Sequence, residues 1–505
     1  MDFILKKIRL IREQYLIETI ILILISIILI STLFIYPIFG KSDNGDFGRL
    51  MIYGGLSNIS NRYKDIYDGY FHLNYIISDP WGILPINVDW VSGSVLLKIA
   101  VLLFSITHLF LSNLFDVRYL AFTYCIVFLI GIFLILSYKG FSKPIKIAAG
   151  IIIIFIFTDV SYISYFNSFF GEAGTIVFFF LNIGTYLHLI SKDVPKVKDF
   201  VWFFIASGAF LTGKAQNIPL LAFMLIIYVS LFIYYKEKRQ RKAIIIGALL
   251  VTVICIGSLI SITKTMNQNN LYQAVFSGVL RGSKSPEKDL KELGLNKSLE
   301  VYEGHSFYVK NAKFQPMGSY METEFYPHIS SFKVLFFYFA HPDRMWQKIV
   351  ESANNAYAFY LPGRSNFIKG QVTFDSNGKV IINKPINDFR SKLIDYLKKH
   401  PIVKNNIFTL VPFCVVFFII VIIDLIKNKN KERRLLNLML LFVLATASSQ
   451  LILPEIGSGH GDLGKHLFLM NLAFDAMMCI SLLWILHIIL KVVELGENRW
   501  KKRLK

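Results

Sequence analysis

Asn44-Gly45-Asp46-Phe47-Gly48-Arg49 follows directly on the first long apolar segment, Thr19 to Phe39, and the two together decide how the chain reads. Roughly 20 apolar residues cross a bilayer. The residues ahead of the segment, Lys6, Lys7, Arg9 and Arg12, are basic and therefore cytoplasmic. Asp46 is thereby delivered just past the far lipid surface. Gly45 and Gly48 free the backbone for a tight turn, and Arg49 stands close enough to tune the charge. A carboxylate so placed suits a general base or a metal ligand at the water–lipid boundary. Taken alone, a solvated turn aspartate is the plainer reading.

Composition supports the membrane. The 505 residues are 54% hydrophobic with 45 Phe, which excludes an ordinary soluble enzyme. The first segment lacks a small-x-small cleavage site and reads as an uncleaved signal-anchor. The +20 net charge calls for no nucleic acid, because much of it lies in short loops where Lys and Arg set topology and meet anionic lipids. Cys125, Cys255, Cys414 and Cys479 all fall in apolar segments, so neither a disulfide framework nor a zinc site is indicated. Heavy Ile, Lys and Asn usage fits an AT-rich bacterial genome.

The apolar stretch Ser94 to Leu114 decides the parity. If it lies along the outer surface as a juxtamembrane helix, every later basic loop becomes cytoplasmic, from Lys139/Lys143/Lys146 and Lys192/Lys196/Lys198 to Lys236–Lys242 and Lys427–Arg434. If it spans, all of them flip outward, against the loop rule. It is therefore taken as interfacial. The expected spans are Thr19–Phe39, Val117–Ser137, Ile147–Ser164, Ala173–Ile190, Phe200–Thr212, Pro219–Tyr235, Ala243–Ile262, Asn406–Ile426, Leu435–Leu453 and His466–Leu490. The fold expected is an all-α polytopic membrane protein of about ten transmembrane helices with both termini inside. Residues 1–263 would form the N-terminal transmembrane core, with the first outer loop at 40–116. Residues 264–403 would form a small mixed α/β extracytoplasmic module, and 404–505 the last spans and a basic tail. In the module, Ser285 with Pro286 reads as a capped helix start. Ser331–Ala340 reads as a helix on the bilayer surface, and Asn377-Gly378 as a hairpin turn before Lys379–Ile382. No internal repeat is visible, which counts against transporters built from inverted repeats.

Polar groups collect at the outer ends of the spans. Asp159 lies in the outer part of its span, where an ionisable group is costly and points to function, or else to a packing ion pair. Glu172 opens a helix, where the dipole alone accounts for a carboxylate. Lys214, in Thr212-Gly213-Lys214-Ala215-Gln216-Asn217, runs against the loop-charge trend, and an anionic ligand such as a lipid phosphate explains it. Gly457-Ser458-Gly459-His460-Gly461-Asp462-Leu463-Gly464-Lys465-His466 brings His460, Asp462, Lys465 and His466 into the last span. A metal site is one reading, although the spacing matches no standard ligand pattern; a polar face for sugar and phosphate is preferred, and a flexible surface loop is the plainer alternative. Gln216, His341 and Arg344 complete the candidate binding residues with Arg49. A transporter would place such groups nearer the bilayer midplane.

In this layout, with Asn-Gly-Asp-Phe-Gly-Arg, Tyr-Phe-Asn-Ser-Phe-Phe-Gly-Glu, Lys-Ala-Gln-Asn and Gly-Asp-Leu-Gly-Lys-His-Leu-Phe, the chain resembles the GT-C class of membrane glycosyltransferases. Within that class it looks most like the bacterial WsfD-type hexosyltransferases. The resemblance implies a polyprenyl-phosphate-linked sugar donor, a glycan or wall-polymer acceptor, and an active site facing outward from the bacterial cytoplasmic membrane. Asp46 would be the catalytic acid or base, with Asp159 and Glu172 as further catalytic candidates. Lys214 and the Asp462–His466 turn would belong to the donor site. The residue two before Asp46 is Asn44, so the paired acidic motif of the class is missing. No metal ligand is therefore assigned and activity is expected to survive EDTA. A divalent Mg or Mn requirement would instead point to Asp46 with Asp159 or Glu172. The competing readings are a polymerase or ligase of lipid-linked oligosaccharides and, outside enzymes, a lipid or glycan flippase.

Overall fold

The computed structural model describes residues 15–79, 89–357, 365–371, 373–374, 380–381, 385–399 and 407–503. The basic residues before Tyr15 and the Asn377-Gly378 turn lie outside them.

After α1 (Leu16–Leu33) the chain forms α2 (Gly48–Gly54), β1 (Leu56–Ser57), β2 (Asn74–Ile77), α3 (Gly93–Thr107) and β3 (Leu114–Asp116). A run of long helices follows: α4 (Arg118–Leu136), α5 (Lys143–Phe157), α6 (Gly171–Ile190), α7 (Val197–Leu211), α8 (Leu221–Tyr234) and α9 (Lys238–Ile260). Seven helices among the described residues are long and apolar enough to cross a membrane, or up to eight if α5 and its Val160–Phe166 continuation, bent by 60°, count as one span. Their sequences are apolar all round, so faces turned away from the bundle stay apolar, as Ile20, Ile23, Ile27 and Ile30 of α1 do. In water such faces would aggregate; in lipid they are solvated. The chain is a multi-pass membrane protein.

Polar contacts sort the helix ends into two sets. At one end Lys146, opening α5, pairs with Glu18 of α1, and Lys192 pairs with Asp199 at 2.6 Å between α6 and α7. At the other end Asn167 donates to the carbonyls of Leu33 and Phe39, each at 2.9 Å, and Arg118 of α4 reaches the Phe34 carbonyl. The helices therefore alternate in direction, as the basic loops require.

α3 does not take part in the alternation. Its start is fixed by Ser92 N–H donating to Thr212 O at 2.9 Å, at the end of α7. The strand that follows it, β3, leads straight into Arg118 at that same end. Both ends of the helix therefore lie at one end of the bundle. It lies across the bundle end, packed on α2 and α4. Around it the first loop folds into an antiparallel β1-β2-β3 sheet with Leu56 opposite Ile77 and Tyr75 opposite Phe115. Gly55, at φ +65°, is required there, because a Cβ would meet the Asp79 carbonyl oxygen at 1.8 Å.

Beyond α9, α10 (Pro286–Glu292), α11 (Ser331–Ala340) and α12 (Pro342–Asn354) belong to a region with its own apolar core, including Tyr272, Phe276, Tyr302, Phe325 and Tyr338. β4 (Thr373–Phe374) and β5 (Val380–Ile381) pair antiparallel, and α13 (Phe389–Lys399) follows. α14 (Ile407–Lys427), α15 (Lys431–Ser449), the short α16 (Leu453–Ser458) and α17 (Leu463–His466), and α18 (Phe468–Arg503) complete the chain. At the basic end Lys431 of α15 lies 3.5 Å over the Tyr235 ring.

Two expectations are corrected. α1 stops at Leu33 rather than Phe39, because Phe39 N–H turns back to Thr32 O at 2.9 Å. Pro286 does open α10, but the Ser285 hydroxyl makes no cap; Ser283 Oγ instead bonds Asp289 at 2.6 Å. In a cysteine-free background, Asn61→Cys and Ser142→Cys should be labelled by impermeant maleimide from opposite sides of sealed vesicles. Labelling of both from one side would mean that α3 crosses.

Candidate active site

The chain leaving α1 is bent by its own side chains. Asp43 Oδ1 accepts from Gly45 N–H at 2.7 Å and Phe47 N–H at 3.3 Å, and Asn44 Oδ1 accepts from Asp46 N–H at 3.3 Å. Gly45 sits at φ +106°, which favours glycine. Phe47 anchors the turn edge-on against Phe169 and Phe170, with centroids 5.4 and 4.8 Å away. The Asp46 side chain, 29% exposed, projects from this turn.

Two carboxylate–ammonium pairs meet here. Asp46 Oδ1 lies 2.9 Å from Arg49, and Oδ2 is in direct contact with Lys465 Nζ. Lys465 is only 4% exposed and its ammonium stands 4.3 Å over the Phe170 ring. It is delivered by α17, which the chain enters through Asp462 at φ +50°. The second pair joins Glu172, in the first turn of α6, to Lys214 at 2.8 Å. Gln216 ties the same corner together, donating to His466 O at 2.7 Å and to Gln450. Glu172, Lys214, Gln216, His466 and Phe468 line a small cleft. Residues from the first loop, the α5–α6 turn, the α7–α8 turn and the approach to α18 thus converge on one place.

Burial alone would push the Asp46 carboxyl up, but Lys465 and Arg49, with Lys214 behind them, hold it well below the usual carboxylate range. It is ionised at any physiological pH. Burial and the Lys214 and Lys465 charges lower His466 to about 3, leaving a neutral imidazole. Burial also lowers Lys41 to about 7 against the pull of Asp159 and Glu172; its ammonium lies 4.7 Å over the Tyr165 ring. Lys41 was open to the same reasoning as Lys214, being a lysine just past a span on the module side.

The cluster brings together Asp46, Arg49, Glu172, Lys214, Gln216, Lys465 and His466. Asp159 is elsewhere and differently employed: fully buried, it accepts from Ser161 N–H, Ser391 N–H and Ser391 Oγ at 2.9, 3.0 and 2.7 Å. It caps a short helix and ties it to α13. His341 pairs with Glu292 at 2.8 Å and Arg344 with Asp289 at 3.0 Å, holding α12 to α10 rather than facing Asp46. His460 faces Glu351 at 2.6 Å, and Asp462 is an exposed turn residue. As to a divalent cation, Asp46 and Glu172 each already face an ammonium, and Asn44 takes the place of a second acid.

The YfdI N-terminal transmembrane domain profile matches residues 5–504. The chain belongs to that family. No curated protein matches it. Among solved structures it is similar, at 11% identity and a TM-score of 0.41, to the archaeal oligosaccharyltransferase AglB from Archaeoglobus fulgidus in complex with an inhibitory peptide and a dolichol-phosphate. That match covers 96% of this chain and 52% of AglB, so the family member spans about half the length of its structural neighbour. A likeness this low carries no inference about activity.

Asp46 and Lys465 should be energetically coupled. A double-mutant cycle with Asp46→Asn and Lys465→Gln, read by thermal unfolding in detergent, should give about 1–3 kcal/mol; additive losses would show the contact to be idle. The pH dependence has a definite sign. A depressed carboxylate stabilises above the unfolded value near 4 and loses that contribution as pH falls towards its folded value. The melting-temperature gap between wild type and Asp46→Asn should hold from about pH 8 to 5 and narrow progressively as pH falls below about 4.

Proposed function

We propose that this protein is a GT-C-type glycosyltransferase of the WsfD kind. It moves a hexose from a polyprenyl-phosphate donor to a hydroxyl of a surface glycan or wall polymer, on the outer face of the bacterial cytoplasmic membrane. Membership of a transmembrane-domain family and the motif resemblance support the class. The observation that carries the reading is the meeting of two carboxylate–ammonium pairs, Asp46–Lys465 and Glu172–Lys214, the second of which lines a small cleft.

The chemistry follows from exchange of counter-ions. The donor phosphodiester carries one charge and two free oxygens, as a carboxylate does; as the sugar bond breaks, the phosphomonoester left behind gains charge and a third free oxygen and becomes the stronger partner for an ammonium. The donor phosphate shares Lys465 and Lys214 with their carboxylates, and its hold on them strengthens as the leaving phosphate gains charge. Asp46, its strongest cation shared, then rises towards ordinary carboxylate basicity. The acceptor oxygen attacks the anomeric carbon and the bond from that carbon to the phosphate oxygen breaks. The hydroxyl proton passes to Asp46, and the charge left on the phosphate stays between the two lysines. Arg49 keeps Asp46 aimed through its 2.9 Å contact. The prenyl chain lies in the apolar grooves between Phe- and Ile-rich spans.

Purified protein given a panel of polyprenyl-phosphate hexoses should release free carrier, detected by mass spectrometry. Asp46→Asn should lower turnover about 10²–10⁴-fold while donor binding persists. A flippase would tolerate the change, and unaltered turnover would exclude Asp46 as the base. Lys214→Gln, checked for an intact melting transition, should lower kcat/KM by roughly ten- to a hundred-fold, the effect of losing a charge-assisted hydrogen bond. A change within about twofold would place the phosphate elsewhere.

A further inference from the structure

We infer that Glu351, Glu455 and His460 form a binding site for a first-row divalent cation, separate from Asp46, where α12 meets the loop between α16 and α17. One ligand atom from each residue lies within 4.8 Å of the others. His460 Nδ1 is 2.6 Å from Glu351 Oε1 and 3.9 Å from Glu455 Oε1. Ligands on one such ion sit roughly 3 Å apart, so Glu455 has to swing by about 1 Å to complete the set.

The second observation is Glu455 itself. Its side chain is fully buried and neither carboxylate oxygen has a hydrogen-bond partner. The nearest lysine, Lys348, stands 3.9 Å from it and bonds Glu351 instead at 3.1 Å. Arg281 likewise lies 3.2 Å from Glu351. Lys348 thus gives Glu455 a nearby charge but no hydrogen bond, and a buried carboxylate held this way is poorly compensated until a cation contacts it directly. One imidazole with carboxylate oxygens suits manganese, iron(II) or zinc.

The backbone around the site is pinned. Gly459, at φ +58°, packs so closely on the Gln273 carbonyl that a Cβ would lie 2.2 Å from it. His460 N–H donates to Ser277 O at 3.4 Å. An ion here would clamp α12 to the loop that five residues later carries Lys465, and so fix the position of that ammonium without touching the reacting atoms.

The test is a manganese titration of purified, metal-stripped protein, read by loss of the free-ion electron paramagnetic resonance signal. Wild type and Asp46→Asn should each bind one ion per chain. Glu455→Gln and His460→Asn should bind at least about tenfold more weakly. His460 is partly exposed, so its variant remains informative if Glu455→Gln fails to fold. No binding by wild type, or undiminished binding by His460→Asn, would overturn the assignment. Loss of binding in Asp46→Asn would do the same, by placing the ion at the candidate active site. Since the readout is ion binding, its failure is distinguishable from failure of the glycosyltransferase reading.

Discussion

The contact between Asp46 and Lys465 closes the module end of the bundle. Each group comes from a segment that folds only with help: Asp46 from a turn held by Asp43 and Asn44, and Lys465 from a one-turn helix entered in a left-handed conformation. Lys465, almost fully buried over the Phe170 ring, would be left uncompensated by the loss of Asp46, whereas Asp46 keeps Arg49 at 2.9 Å. The pair therefore fixes how the first loop meets the last span. Glu172 and Lys214 do the same for the two turns between.

A resting site with both carboxylates neutralised is electrostatically quiet. Its acid is ionised but a weak base, and its ammonium groups are committed. Under the proposed function, that state waits for a lipid-linked donor, whose phosphate would redistribute the charges. His466 adds a neutral imidazole at the cleft wall, kept so by burial and by the same two lysines.

Much of this was legible in the sequence for physical reasons. Spans of this kind are written as uninterrupted apolar runs, and basic loops fix their direction, so the alternation and the interfacial position of α3 followed from counting Lys and Arg. Asp46, Glu172, Lys214, Lys465 and His466 stood out because charge on the module side of a membrane protein needs a reason. What sequence did not reveal is pairing. Nothing in the spacing of Lys214 says that its partner is Glu172, 42 residues earlier, or that Lys465 reaches back 419 residues to Asp46. Asp159 looked equivalent to Glu172 by its depth, yet its oxygens are spent on Ser161 and Ser391, the latter contributed by α13. Arg344 and His341 were singled out as outer cations and bind acids within their own region, at Asp289 and Glu292.

The counter-ion exchange is the claim on which the functional account stands, and a structure with the product carrier bound tests it most directly. Electron cryomicroscopy of the protein with polyprenyl phosphate should show the phosphate within hydrogen-bonding distance of both Lys214 and Lys465, with the Asp46–Lys465 contact opened. A phosphate bound elsewhere, for instance at Arg344, with the Asp46–Lys465 and Glu172–Lys214 pairs intact, would contradict it.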